Sequence, residues 1–292
     1  MTGPVADMVA EWVRWHPSGQ VSLSGPLLRL AGQCDAAFGV LAGMWDAEPE
    51  RHPSTLPAHV LAKTGYLRSF PHQATFAVGL DPARLDDFAE DPDQDPRGTL
   101  GRATEILTPA ACYHLYPGRA GQALTGPLYL TTVNTCYRRE QEYLPLRRQW
   151  AFTMREIVCL GTADEAAEFA RTTSAAARLL CELAGLPAAW QQATDPFFRP
   201  ARNPAYLMQK LSPVKHEVVY GETAIASSNL HFEHFGEAFG ISRQGEPANS
   251  ACVAFGIERW LFAVTDRHGD DPASWPDLVC LAREVIARWP SL

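Results

Sequence analysis

One charged stretch, residues 136–161 (CYRREQEYLPLRRQWAFTMREIVCLG), limits what this chain can fold into more than any other. Its apolar flanks read as two strands, and its middle reads as a charged turn that contains proline. Alternate side chains of a strand lie on one face, so Arg138 and Glu140 share a face, and Phe152 and Glu156 lie in one row. A face with an arginine, two glutamates and an aromatic ring is too polar for a hydrophobic core, and it suits the binding of a nucleotide. The alternative is a hairpin of solvated ion pairs, each of which contributes little.

Strand patterns fill the middle of the chain, and helical patterns lie at its two ends and between the strands. The expected strands are 105–117, 123–139, 150–161, 215–221, 223–232 and 250–257. The expected helices are 5–15, 26–46, 162–185 and 272–289, the third opened by a Thr162–Glu165 capping box. Residues 86–97 are acidic and predict a solvated loop. The pattern predicts an α+β fold, an antiparallel sheet flanked by helices, with residues 1–292 forming one domain.

Charge and composition narrow the class of protein. The formal net charge is −8 and the pI about 5.6, so no overall positive field attracts nucleic acid. No run of eighteen apolar residues is present, and the N-terminal residues lack the apolar core of a signal peptide. The seven cysteines are scattered and form no CxxC pair, which favours a reducing, cytoplasmic location.

A second candidate element lies near the end of the chain. The apolar strand at 250–257 runs directly into a helix at Gly256, and Arg259 follows in the first turn. A helix N-terminus together with an arginine is an anion site. Many buried strand-to-helix turns have the same pattern, so this element alone is weakly specific.

The two elements together resemble motifs 2 and 3 of class II aminoacyl-tRNA synthetases. Motif 2 corresponds to 136–161, with Arg138-Arg139-Glu140, Arg147, Phe152 and Glu156; motif 3 corresponds to 252–260, with Ala254-x-Gly256-x-x-Arg259. Gly65, Tyr66 and Pro71 match motif 1, near 65–71, at the dimer interface. Over about residues 60–265 the chain resembles the amino acid:[carrier protein] ligases, which are truncated homologues of the atypical zinc-dependent seryl-tRNA synthetases.

This resemblance implies a catalytic zinc held by Cys112, Glu156 and Cys252, each on an expected strand. Three protein ligands leave zinc a fourth position, which the α-amino group of the substrate would take. The competing metal candidate is His231-Phe232-Glu233-His234, which more readily forms a segment that lines a pocket or the core. Cys136 opens the charged stretch but is expected in the core.

The same resemblance implies that ATP is bound by Arg138, Glu140, Arg147, Phe152, Glu217, Asn229 and Arg259. In this assignment the catalytic residues are Arg138, at the α-phosphate, and Arg259. Glu140 would accept from the adenine amino group, while Phe152 and Arg259 would sandwich the ring. Arg147 would reach the outer phosphates. Glu217 and the Ser228-Asn229 step would hold Mg²⁺, which prefers oxygen ligands.

The resemblance further implies that a small amino acid is activated with ATP and passed to the phosphopantetheine thiol of a carrier protein. Only about 64 residues precede motif 1, which leaves no room for a tRNA-binding domain, and the acidic pI disfavours tRNA. Arg199, Arg202 and Lys210, in a basic stretch without acids, are candidate docking residues, or else part of a solvated surface. A homodimer is expected. The alternatives are an enzyme acting on tRNA or a free small molecule, and an inactive regulatory paralogue.

Overall fold

The charged stretch folds as a long antiparallel hairpin at the centre of a seven-stranded sheet. The computed structural model describes residues 11–203, 206 and 214–289. Within the hairpin Cys136 pairs with Phe152 and Thr132 pairs with Glu156. Paired residues of antiparallel strands point to the same face. The predicted row of Phe152 and Glu156 on one face is therefore confirmed.

The strands are β1 (Val13–His16), β2 (Gln20–Leu23), β3 (Glu48–Glu50), β4 (Thr55–Pro57), β5 (Phe76–Ala77), β6 (Glu105–Leu107), β7 (Ala123–Leu124), β8 (Leu128–Tyr137), β9 (Ala151–Gly161), β10 (Ala188–Gln192), β11 (Lys215–Tyr220), β12 (Thr223–Phe232), β13 (Ser242–Arg243), β14 (Glu246–Pro247) and β15 (Asn249–Gly256). The order of the seven-stranded sheet is β10-β11-β12-β15-β9-β8-β3. Within it, β3 is the one strand that runs parallel to its neighbour, β8. The helices are α1 (Gly25–Ala42), α2 (Ala58–Lys63), α3 (Tyr66–Ser69), α4 (Leu85–Glu90), α5 (Ala163–Leu183), α6 (His234–Phe239), α7 (Ile257–His268) and α8 (Leu278–Ala287). The predicted α+β architecture is confirmed.

The main core lies between one face of this sheet and the helices α1, α5, α7 and α8. Phe38 of α1 stacks on Phe255 of β15, with ring centroids 4.2 Å apart. The fully buried Trp260 donates its indole N–H to Ile225 O at 3.1 Å. The predicted capping box at Thr162 and Glu165 is present at the start of α5. The helices thus hold one face of the sheet rigid and leave the opposite face available for a site.

Shorter elements cover the opposite face only in part. The 3₁₀ turn Ala111–His114 packs on β8 and β9, and α6 packs on β15 and β12. The small sheet β4-β6-β5 and the adjoining α2–α3 segment form a satellite core around Leu61, Tyr66 and Ile106. A cavity remains between these elements and the sheet.

Several local expectations were wrong, each for an identifiable reason. Residues 13–16 are a strand and not part of a helix, because Gly19, at φ +84°, closes a hairpin there. Residues 85–90 form a helix and not a loop, with Asp86 and Asp87 in the first turn where carboxylates favour a helix. The closing helix begins at Leu278.

The expected strand 105–117 ends at Leu107. Pro109 has no N–H to donate to a strand ladder, and the Thr108 hydroxyl donates to Ala110 O at 2.7 Å. These features favour the 3₁₀ turn that follows, so the prediction that Cys112 lies on a strand was wrong.

In the described part of the chain, no helix combines the length and the apolar character that crossing a membrane requires.

Candidate active site

A cavity of about 680 Å³ lies on the exposed face of the central sheet. Its floor comes from alternate residues of four neighbouring strands, because those side chains all point to this face. The floor residues include Phe152, Met154, Glu156, Cys252, Ala254, Ser227, Asn229 and Glu217. Its walls come from the 3₁₀ turn at 111–114, from residues 64–73 and from residues 195–197. The cavity therefore joins most of the residues that the sequence singled out.

Three buried side chains with metal-ligand atoms meet at one end of this cavity. The ligand atoms of Cys112, Glu156 and Cys252 all lie within 4.8 Å of one another. Glu156 is only 1% exposed, and its Oε1 accepts the backbone N–H of Cys112 at 3.1 Å. The residues predicted as zinc ligands are thus brought together, although they are far apart in sequence.

Burial and mutual contact set the protonation of this cluster. Burial first, and then the nearby Cys252 sulfur, raise the pKa of Glu156 to about 7. The thiol of Cys112 donates to Cys252, which lowers the pKa of Cys252 and raises that of Cys112. Two sulfur donors and one carboxylate, closed off from solvent, match the donor set of a Zn²⁺ site with one open position.

The competing metal candidate does not form a cluster of its own. Cys112, Glu156 and Cys252 are the one group of three potential ligands that the described residues contain. His231 instead lies beside Cys252, with Nε2 at 3.7 Å from Sγ and Nδ1 at 3.3 Å from Ser250 Oγ. His234 contacts Thr64 O at 3.0 Å through Nε2. Both histidines line the cavity, as the interpretation of this segment as pocket lining predicted.

Two arginines also line this cavity. Arg138 is held by Pro109 O, to which its Nε donates at 2.7 Å, and its guanidinium lies 5.3 Å from the ring centroid of Phe152. Arg259 donates to Arg147 O and to Ala224 O, both at 2.9 Å. Burial, and then the charge of Arg138, lower the pKa of Arg259. Two cations in one recess favour an anion between them.

The remaining residues predicted for ATP also line this cavity. They are Glu140, Arg147, Glu217 and Asn229. The guanidinium of Arg147 lies 4.9 Å from the ring centroid of Phe262, which orients the loop between β8 and β9. Asn229 donates to Cys252 Sγ at 3.5 Å, so it lies beside the candidate metal cluster.

Glu217, which was expected to hold Mg²⁺, is ion-paired with a lysine. Lys215 lies between two acids, with Nζ at 2.7 Å from Asp195 Oδ1 and at 3.1 Å from Glu217 Oε1. All three line the cavity. Neither Lys215 nor Asp195 was assigned to the site from the sequence. Side chains alternate between the two faces of β11, so Lys215 and Glu217 lie on one face. This spacing could have identified the pair from the sequence.

The expected docking residues lie beside the cavity or outside the described residues. Arg199 and Arg202 flank a 3₁₀ turn, and the guanidinium of Arg199 lies 5.0 Å from the ring centroid of the exposed Phe198. Lys210 lies outside the described residues. Phe197, just before, lines the cavity.

The other residues that the sequence singled out have structural contacts. In the segment expected as motif 1, Tyr66 is buried and lines the cavity. Arg155 forms a two-bond ion pair with Asp35 of α1, at 2.7 and 2.9 Å. Arg139 packs on Trp150 at 4.3 Å from the ring centroid. Cys136 is fully buried, as expected.

Comparison of the whole fold with solved structures defines its class. The chain superposes on seryl-tRNA synthetase of M. kandleri, solved with A. aeolicus tRNASec, with a TM-score of 0.80 at 21% identity, covering 97% of this chain and 61% of that one. It superposes on the Pyrococcus horikoshii seryl-tRNA synthetase complexed with ATP with a TM-score of 0.67 at 13% identity, covering 90% and 58%. The fold is that of class II aminoacyl-tRNA synthetase catalytic domains.

Sequence comparison then gives the family. No family model matches the chain. It is 34% identical over 256 residues to amino acid–[acyl-carrier-protein] ligase 1 of Bradyrhizobium diazoefficiens, covering 83% of this chain and 77% of the relative. Ligase 2 of the same organism is also 34% identical, over 258 residues, with 82% and 76% covered. The type-2 serine–tRNA ligase of Methanopyrus kandleri is 24% identical over 262 residues and is covered to 50%. The chain belongs to the amino acid–[acyl-carrier-protein] ligase family.

Proposed function

We propose that this protein activates a small amino acid with ATP and transfers it to the phosphopantetheine thiol of an acyl carrier protein. One observation supports this most directly: a single cavity joins a buried Cys-Glu-Cys cluster to a recess between two arginines. An amino acid carries an amine and a carboxylate, and ATP adds phosphates. The cluster can take the amine, and the arginines can take the carboxylate and the phosphates.

In the proposed first step, a carboxylate oxygen of the amino acid attacks the α-phosphorus of ATP. The bond from that phosphorus to the pyrophosphate oxygen breaks, giving aminoacyl-adenylate and pyrophosphate. Two anions approach one another, so positioning and charge neutralisation supply most of the rate. Arg138 and Arg259 neutralise this charge, Arg147 reaches the outer phosphates, Glu140 accepts from the adenine amino group, and Phe152 stacks on the ring.

Cys112, Glu156 and Cys252 would hold Zn²⁺ at the other end. A bound Zn²⁺ would supply a Lewis-acid position for the neutral α-amino group of the substrate. Glu217, with Asn229 nearby, would hold Mg²⁺ together with phosphate oxygens. The Lys215 ammonium beside Glu217 balances that carboxylate until the phosphates arrive.

In the proposed second step, the carrier-protein thiol attacks the carbonyl carbon of the adenylate. The thioester forms, AMP leaves with the carbonyl–oxygen bond electrons, and the thiol proton is lost. The exposed side chains of Arg199, Arg202 and Phe198 beside the cavity are candidate contacts for an acidic carrier protein, as is Lys210. We propose that the enzyme acts as a cytoplasmic homodimer.

Amino-acid-dependent ATP–pyrophosphate exchange, with zinc measured on the same sample, tests the first step. We expect exchange with one or a few small amino acids and about one zinc per chain. If metal-replete protein shows no exchange with any amino acid, the proposed enzymatic activity is contradicted and an inactive paralogue is favoured.

A further inference from the structure

A buried carboxylate beside the nucleotide end of the cavity has no part in the proposed chemistry. Glu258 lies in the first turn of α7, is 7% exposed and lines the cavity. Both of its oxygens accept the backbone N–H of Thr153 on β9, at 3.0 and 2.8 Å. One side chain thus joins a helix start to a strand that is distant in sequence.

This hydrogen bond from Thr153 takes the place of a β-ladder hydrogen bond that is lost where β15 ends. The pairing of β15 with β9 ends at Gly256 and Met154, because β15 turns into α7 at Gly256. Thr153 is the next residue of β9, so its N–H on that side has no β15 carbonyl to receive it. A buried N–H without an acceptor is costly, and the carboxylate of Glu258 supplies the acceptor.

The bond also sits between two residues of the nucleotide site. Thr153 directly follows Phe152, and Glu258 directly precedes Arg259. The two residues proposed to hold the adenine are therefore each one peptide unit from this contact. We propose that Glu258 is a positioning residue, which fixes Phe152 and Arg259 at the separation that adenine requires. This inference rests on the proposed function of the same cavity.

No ion pair within the described residues holds the Glu258 carboxylate; its contact in the fold is the Thr153 N–H. Arg259 directs its guanidinium nitrogens to the carbonyls of Arg147 and Ala224. Burial raises the pKa of Glu258, so ionising this carboxyl costs more here than in water. A group that is costly to bury and bonded to one amide beside the site fits a positioning role.

Nucleotide binding to three variants tests this role. Glu258→Ala removes the acceptor, and we expect the Kd for ATP to rise about tenfold, the equivalent of one hydrogen bond to a charged group. Glu258→Gln keeps one oxygen acceptor, so its Kd should stay close to that of the wild type.

Asp35→Ala is the matched control, because it removes a carboxylate that ties another helix to β9 at Arg155. We expect its ATP affinity to be unchanged. The KM for the amino acid and the zinc content should not change in any of the three.

Two results would overturn the proposal: wild-type ATP affinity in folded Glu258→Ala, or an equal loss of affinity in Asp35→Ala. If Glu258→Ala does not fold, Glu258→Asp takes its place, because the carboxylate is then one methylene short of Thr153. ATP binding without exchange in the wild type would contradict the proposed reaction and leave the Glu258 comparison intact.

Discussion

The backbone N–H of Cys112 donates to Glu156 Oε1 at 3.1 Å, across 44 positions of sequence. This bond joins the 3₁₀ turn to the centre of β9 and fixes the distance between two of the three candidate metal ligands. It leaves the second oxygen of Glu156 available to a cation. The donor cluster is therefore held together by the fold before any metal binds.

Replacing Cys252 by alanine should abolish stoichiometric zinc binding, because one of three protein donors is lost. The matched control is Cys159→Ala, a buried cysteine on the neighbouring strand whose side chain faces the helical core. We expect the control to retain zinc. Metal analysis of both purified variants makes the comparison, and a full zinc complement in Cys252→Ala would refute the ligand assignment.

Removing Arg138 should lower the rate of ATP–pyrophosphate exchange by about 10²- to 10³-fold, the usual cost of losing a group that stabilises transition-state charge. Arg139→Ala is the control, since Arg139 packs on Trp150 and is exposed. Its exchange rate should be near that of the wild type. Comparable losses in the two variants would show that the effect comes from the hairpin in general and not from Arg138.

Replacing Asp35 by alanine should destabilise the fold by about 2 kcal/mol, because the largely buried Arg155 guanidinium loses its two-bond partner. Thermal or urea unfolding measures this change. The Arg155–Asp35 pair lies on the face of the sheet that the helices cover, away from the cavity. The variant should therefore retain exchange activity at a temperature where it is folded. A large loss of exchange activity in the folded Asp35→Ala variant would show that this ion pair is coupled to the active site.

Glu165 should make stability depend on pH. The hydrogen bond from Arg243, and then those of the Thr162 cap, lower the pKa of Glu165. A lowered folded-state pKa adds stability that is fully present above the unfolded value, about 4.3, and is lost as pH falls through the folded value. Wild type should therefore be more stable than Glu165→Gln at pH 7, and the difference should shrink towards pH 3. A difference in unfolding midpoint that is constant over this range would contradict the assignment.

The sequence predicted those features that local patterns encode. The α5 capping box, the row on β9 and the turn from strand to helix at Gly256 each depend on neighbouring residues, and each is present. The proximity of Cys112, Glu156 and Cys252 could not follow from spacing, since only the sheet register brings them together. It was reached through resemblance alone.

Contacts that depend on tertiary packing were missed for the same reason. Glu258 follows Gly256 in a motif that was recognised, but its bond to Thr153 depends on where the ladder between β15 and β9 ends. The Lys215 contact with Asp195 joins residues 20 positions apart, so it depends on tertiary packing. Residues 13–15 were assigned to a helix because the turn at Gly19 was overlooked.

Transfer of the activated amino acid to a carrier protein tests the central claim most directly. The protein, ATP and the amino acid that supports exchange are incubated with a phosphopantetheinylated carrier protein, with the apo carrier and with tRNA, and intact masses and tRNA charging are measured. We expect a mass increase of one aminoacyl group on the phosphopantetheinylated carrier alone, reversed by hydroxylamine. Charging of tRNA with no acylated carrier protein would contradict it.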